Sequence, residues 1–234
     1  MWSTRRKRPF ASSRGGSLSD SGSKDPRLDE FLAGRGLRVS RHQARQLNIY
    51  LDQLEEWNRK INLTGLSFRQ RIVDELLVDS VLAAHFLPDQ GALLDVGSGA
   101  GFPAIPIKIC KPQLTCQLLE PNSKKISFLR HIIRVLGLRD IEAAAIRIED
   151  HAETLYDVVT SRAFAPLPRL ATLCAPCLAP SGRLVAFLGR KSDSIIKESE
   201  RLLQTYNLFP FKKIAYSAGE KGGRREILIL EKQS

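Results

Sequence analysis

The stretch Asp95-Val96-Gly97-Ser98-Gly99-Ala100-Gly101 constrains what this chain can fold into more than any other. It follows the apolar run 93–96 and leads into a second apolar segment of helical character, so three glycines fall at a strand-to-helix turn. Glycine lets the chain turn sharply there and lets a ligand approach the backbone closely. Downstream, short apolar runs without strict alternation recur at 115–119, 141–146, 158–161 and 183–188, separated by helical spacing such as 126–136, which stops at Gly137. Such runs suit strands buried on both faces of a parallel sheet, and Gly137 suits a left-handed helix end. Segments 212–216 and 225–230 have no helix between them and predict a closing antiparallel hairpin. The pattern defines an α/β chain with a doubly wound, mostly parallel sheet.

Ahead of the sheet the spacing is helical. Leu47, Tyr50, Leu51, Leu54 and Trp57 form one stripe, and Ile72, Val73, Leu76, Leu77 and Val81 a second. Ser40-x-x-Gln43 and Ser67-x-x-Gln70 both fit the box in which side chains satisfy the free amides of a helix start. Residues 27–90 are therefore expected to be a helical cap and 91–234 a core. Residues 1–26 carry six basic side chains against Asp20 and Asp25, with little apolar content; they predict a disordered basic tail.

The net charge of +11 in 234 residues favours a polyanionic partner, since Lys and Arg gain free energy by releasing counterions from phosphates. No apolar run is long enough to cross a bilayer. Cys110, Cys116, Cys174 and Cys177 do not make a disulfide framework, and nothing reads as a secretory signal, so a reducing, cytoplasmic setting fits. Cys174-x-x-Cys177 lacks a second half-site for zinc; two reduced thiols and no metal are expected.

Within the glycine turn, a dinucleotide site would read G-x-G-x-x-G. Here the third glycine comes one residue early and an aspartate precedes the first, which disfavours a nicotinamide-dependent dehydrogenase. The arrangement favours S-adenosylmethionine, which has no pyrophosphate but offers an ammonium and a carboxylate. Asp95 suits its amino-acid end, directly or through water. Glu120, ending the second strand, suits its ribose hydroxyls. Gly97, Gly99 and Gly101 complete the cofactor cradle.

Five segments resemble the bacterial ribosomal RNA small-subunit methyltransferase G family, also called glucose-inhibited division protein B. They are Trp57-Asn58-x-x-x-Asn62-Leu63-Thr64; Asp79-Ser80; residues 95–103; Ser123-Lys124-Lys125 followed by Phe128-Leu129; and Ser161-Arg162-Ala163-Phe164-Ala165. The likeness spans 37–231. It implies a class I S-adenosylmethionine-dependent methyltransferase with a Rossmann-like sheet, acting on guanine N7 in a loop of 16S ribosomal RNA. It also implies cofactor contacts at Gly97, Phe102, Ile148, Glu149 and Arg162. The chain departs from the family at Leu76, where a histidine is common, and at Ala104, where a glycine is.

Arg162 is expected at the end of the fourth strand, at the ligand edge of the sheet. It is the foremost catalytic candidate, pinning the cofactor or donating to the guanine carbonyl; the alternative is an ordinary salt bridge. Phe164 would stack on an extruded base or belong to the core. Lys124, Lys125, Arg190, Lys191, Arg224 and Arg225 are candidates for RNA docking, and Asn62 for holding the cap against the site or ending a helix. The expected partner is 16S ribosomal RNA or the small subunit, met by a monomer. A methyltransferase for another RNA or a protein, and a non-catalytic assembly factor, are the competing readings.

Overall fold

The computed structural model describes residues 28–151, 154–188, 192–217 and 223–233. The basic tail 1–26, Arg190 and Lys191 lie outside them. In chain order the helices of the cap are α1 (Leu28–Ala33), α2 (Arg41–Asn58), α3 (Arg69–Ile72) and α4 (Val78–Ala84), with a π turn, Val73–Leu77, joining the last two. The rest runs β1 (Gln90–Val96), α5 (Ala104–Cys110), β2 (Gln113–Leu119), α6 (Ser123–Val135), β3 (Ile141–Ala144), β4 (Tyr156–Ser161), α7 (Leu167–Cys174), β5 (Leu178–Leu188), α8 (Ser192–Thr205), β6 (Leu208–Ser217) and β7 (Arg224–Lys232).

The sheet has the order β3-β2-β1-β4-β5-β7-β6. Strands β1 to β5 run parallel, while β7 runs antiparallel between β5 and β6. Neighbouring residues of each central strand serve opposite faces, so Leu93, Val158 and Val185 join a core with α2, α4, α5 and α6. Leu94, Val159 and Leu184 join another with α7 and α8. Leu47, Tyr50, Leu51 and Leu54 of α2 are buried in the first of these, which makes the cap continuous with the sheet's own core. Burial at roughly 1.5 to 3 kcal/mol per large side chain makes that stripe the main bond between cap and sheet.

Local signals set most helix ends. The Ser40 side chain accepts from the Gln43 amide and the Gln43 side chain returns to the Ser40 amide, forming the expected box. Asn122 caps α6 by accepting from the amides of Lys124 and Lys125, and Gly137 takes a φ of 61° after it. The box expected at Ser67 does not form: α3 starts after Phe68, with no side-chain cap. Gln70 instead donates to Asp74, and Arg69 is drawn to Asp52, Glu55 and Asn48 of α2. Two further expectations are corrected. The third strand ends at Ala144, short of Ile146, and the second helical stripe is broken by the π turn.

The cap is oriented by its contacts with α6. Gln46 donates to the Leu136 carbonyl, Gln53 meets His131 at 2.6 Å, and the Trp57 ring lies 5.6 Å from that of Phe128. The two helices are thus antiparallel. Since α6 starts at the carboxyl end of β2, α2 ends there too and delivers the loop 59–68 to the carboxyl edge of the sheet. That loop is folded around Asn58, which accepts from the Leu63 and Thr64 amides and donates to the Leu66 carbonyl. Asn62 itself is exposed within it.

Candidate active site

At the carboxyl edge the glycine turn is held from three sides. The amides of Gly97 and Ser98 donate to the Leu119 carbonyl of β2, at 2.9 and 3.0 Å. Glu120 accepts from the Gly99 amide through Oε2 (2.8 Å) and from the Asn122 amide through Oε1 (2.9 Å). From the cap, the buried Tyr50 hydroxyl donates to the Ala100 carbonyl at 2.8 Å. Gly97, Gly99 and Gly101 all have positive φ, of 72°, 56° and 98°. A Cβ on Gly97 would meet the Phe164 ring at 2.8 Å, and one on Gly101 would meet Ile105 at 2.6 Å, so glycine is required at both.

Beneath the turn lies Asp95, fully buried. Its Oδ1 accepts from Thr160 at 2.6 Å, whereas Oδ2 has no hydrogen-bond partner among the described residues. Burial pushes its carboxyl up to about 6, with Glu120's charge adding to the rise and the bonds from Thr160 and Ser98 opposing it. A buried carboxylate oxygen without a donor is costly. It suits a ligand that brings a cation.

Gly97, Ile148, Glu149, Phe164 and Arg169 line one pocket. The structure therefore brings together the glycine turn and the Ile148-Glu149 pair, which lies on a short 3-10 turn, as the family resemblance implies. Glu149 pairs with Arg169 at 3.5 Å. Phe102 is buried, with its ring 5.1 Å from that of Tyr50. Phe164 lies over Gly97 in this pocket and is partly exposed.

Arg162 follows β4 at the same edge, and its guanidinium is engaged. It forms an ion pair with Asp79 of α4 and donates to the Glu75 carbonyl at 2.5 Å. Arg225 of β7 reaches the same place, bonding Glu75 Oε2 at 2.7 Å and the Glu75 carbonyl at 3.1 Å, with Asp79 Oδ2 at 3.5 Å. The carbonyl that serves two arginines lies within the π turn, whose wider ladder bonds the Val78 amide to Val73. The salt bridge weighed for Arg162 thus exists, and Arg225 is a wall of the site instead of a free phosphate contact. Arg224 is exposed but shares Glu226 with Ser192. Lys124 is exposed on the first turn of α6. Nothing in their own spacing marks Asp79, Glu75 or Tyr50 as site residues; Asp79-Ser80 stands out only as a family match.

Among the described residues no cluster of His, Cys, Asp or Glu could hold a metal ion, and no helix is long and apolar enough to cross a membrane. The four cysteines are free, Cys116 and Cys174 buried.

This strand order, with a glycine turn after β1 and an acid after β2, defines a class I methyltransferase fold. Solved structures agree on the fold. The ribosomal protein L11 methylase from Lactobacillus delbrueckii subsp. bulgaricus matches with a TM-score of 0.56 at 14% identity, covering 73% of this chain and 81% of that one. M. jannaschii TYW2 in complex with AdoMet matches with a TM-score of 0.56 at 12% identity, covering 71% and 77%. Sequence comparison goes further. The family described as rRNA small subunit methyltransferase G matches residues 43–223. Proteins named ribosomal RNA small subunit methyltransferase G are 41% identical in Psychrobacter cryohalolentis, covering 89% of this chain and 87% of the relative. In Brevibacillus brevis the identity is 34%, covering 87% and 88%. The chain belongs to the rRNA small subunit methyltransferase G family.

Proposed function

We infer that this protein transfers a methyl group from S-adenosylmethionine to N7 of a guanine in 16S ribosomal RNA, acting as a monomer on the small subunit in the cytoplasm. One observation carries the reading: the glycine turn, with the unpartnered Asp95 oxygen below it and Glu120 on its amide, abuts an arginine-walled pocket at the same sheet edge.

The residues fit the cofactor. Asp95 would take its ammonium, which supplies the donor that Oδ2 lacks. Glu120 would take the ribose hydroxyls on lone pairs left over from its two backbone bonds. Ile148 and Glu149 would flank the adenine, with the Phe164 ring closing the pocket over Gly97. When bound, S-adenosylmethionine supplies a methyl carbon on a positively charged sulfur. Guanine N7 carries its own lone pair, so the protein needs no general base; its task is to align the base and exclude water. Asn62 and Lys124, which α2 and α6 bring to one edge, and Arg224 would meet RNA; their exposure supports that reading.

The test uses the purified full chain, radiolabelled S-adenosylmethionine and small-subunit particles from a strain lacking the modification. Label is expected in 16S ribosomal RNA at one guanine that becomes cleavable after borohydride and aniline, the reactivity of 7-methylguanosine. Label in protein, or at another atom, would overturn the reading.

A further inference from the structure

A second pocket, of about 340 Å³, opens beside the cofactor pocket. The ends of β4, β5 and β6 and the start of β7 wall it with Arg162, Phe187, Tyr216 and Arg225, and Asp79 of the cap forms its floor. The two pockets meet at consecutive residues. Ala163 lines this one and Phe164 the other, and the left-handed φ of 51° at Ala163 turns the chain between them.

Its floor is chemically unusual. Asp79 is 1% exposed and its Oδ2 serves Arg162 and Arg225, while Oδ1 has no hydrogen-bond partner among the described residues. Tyr216 stands beside it; burial first, then the charge and close approach of the Asp79 carboxylate, hold its phenol far above the ordinary range. Two carboxylates, Asp79 and Glu75, hold the guanidiniums of Arg162 and Arg225, and Arg71 also pairs with Glu75. The cluster offers directed donors and one carboxylate oxygen without a partner among the described residues.

We propose that this pocket takes the target guanine, turned out of the RNA, and that Asp79 reads its N1–H and N2–H₂ edge. The inference rests on the methyltransferase reading above. Guanine alone among the RNA bases sets two adjacent donors beside a carbonyl. Adenine and cytosine would place a ring-nitrogen lone pair against the carboxylate, and uracil would bring a single N–H between two carbonyls. The arginines complete the match: each guanidinium carries five N–H groups, and those not bound to Asp79 and Glu75 are free for O6. Phe187, 5.6 Å from the Arg162 guanidinium, offers a ring face to the purine. With O6 and the N1/N2 edge held, N7 makes none of these bonds and keeps its lone pair. Asp79 is then a specificity-determining residue, and the missing partner of its Oδ1 is the base itself.

Inosine isolates the claim, because it keeps N1–H, O6 and N7 but lacks the N2 amino group. Small-subunit particles are reconstituted with guanosine or inosine at the target position, and kcat/KM is measured for the wild type and for Asp79→Asn, with S-adenosylmethionine affinity as a control. The wild type should prefer guanosine by roughly ten- to a hundredfold, the size expected of one hydrogen bond to a charged group. Asp79→Asn should methylate slowly, bind S-adenosylmethionine as the wild type does, and distinguish the two bases less than threefold. Equal wild-type rates on guanosine and inosine would overturn the proposal, as would full discrimination by Asp79→Asn. The wild-type comparison decides alone if the variant does not fold. Failure of the wild type to methylate the guanosine particle at N7 would instead sink the functional reading.

Discussion

At the level of single residues, the two buried aspartates behave in opposite ways. Asp95 has no cationic partner, and its carboxyl is held up near 6. A carboxyl raised in the folded state stabilises the fold fully below the unfolded value near 4 and loses that contribution as pH rises to about 6. Asn mimics the protonated acid. Asp95→Asn should therefore be more stable than the wild type at pH 8, by at most about 3 kcal/mol, with the gap closing below pH 4 in denaturant titrations. The same variant should bind S-adenosylmethionine poorly, and wild-type affinity should fall as pH drops below about 6, both measurable by calorimetry. Asp79, in contrast, depends on Arg162 and Arg225. Arg162→Ala leaves that buried charge half-compensated, which costs about 3 to 5 kcal/mol, and it should lower methylation by about a hundredfold or more. Arg162→Lys keeps the charge but cannot span both Asp79 and the Glu75 carbonyl; it should recover more of the melting temperature than of the rate. Sequence places Arg162 correctly at a strand end. It gives Asp79 no role, because their interaction crosses 83 positions and leaves no local pattern.

Among the elements, the cap acts on the glycine turn through Tyr50. Its hydroxyl is the donor to a buried carbonyl in the middle of that turn, and its ring packs on Phe102. Tyr50→Phe keeps the packing and orphans the Ala100 carbonyl, at a cost of about 1 to 3 kcal/mol. The melting temperature should drop by about 2 to 10 °C, and the dissociation constant for S-adenosylmethionine should rise several-fold. An unchanged dissociation constant would show that the turn keeps its shape without the cap. Tyr50 is legible from its spacing as an apolar stripe position, and its burial follows from that. Its hydrogen bond is not, since periodicity tells which face is buried and nothing of what a polar tip meets there. The failed box at Ser67 has the same origin: a local helix-start signal yields to the pull of α2 on Arg69 and of Asp74 on Gln70. The π turn leaves no trace either. It reads as an unbroken helical stripe, and the bond from the Val78 amide to Val73 is what defines it.

For the molecule as a whole, the succession of strands and the closing hairpin are readable because most strands carry their own apolar run; the spatial order β3-β2-β1-β4-β5-β7-β6 is set by contacts distant in sequence and is not. Charge distribution is readable only as a total. Most of the +11 lies outside residues 1–26, and structure shows that part of it, such as Arg225, is spent inside the fold. Deleting 1–26 should weaken RNA binding and lower the slope of log affinity against log salt by about 0.7 to 0.9 for each phosphate the tail neutralises. Turnover at saturating substrate should stay unchanged; its disappearance in a folded variant would place the tail in the active site. The last strand has a further consequence. Arg225 meets Glu75 across 150 positions, and β7 lies inside the sheet, between two strands made before it. During synthesis the cap and glycine turn therefore emerge first, and β6 waits without its neighbour. At a synthesis rate of about 5 to 20 residues per second, Arg225 follows Glu75 by on the order of ten seconds. If the pocket beside Asp79 takes the base as proposed, a nascent chain carries a cofactor cradle well before it carries a place for the base.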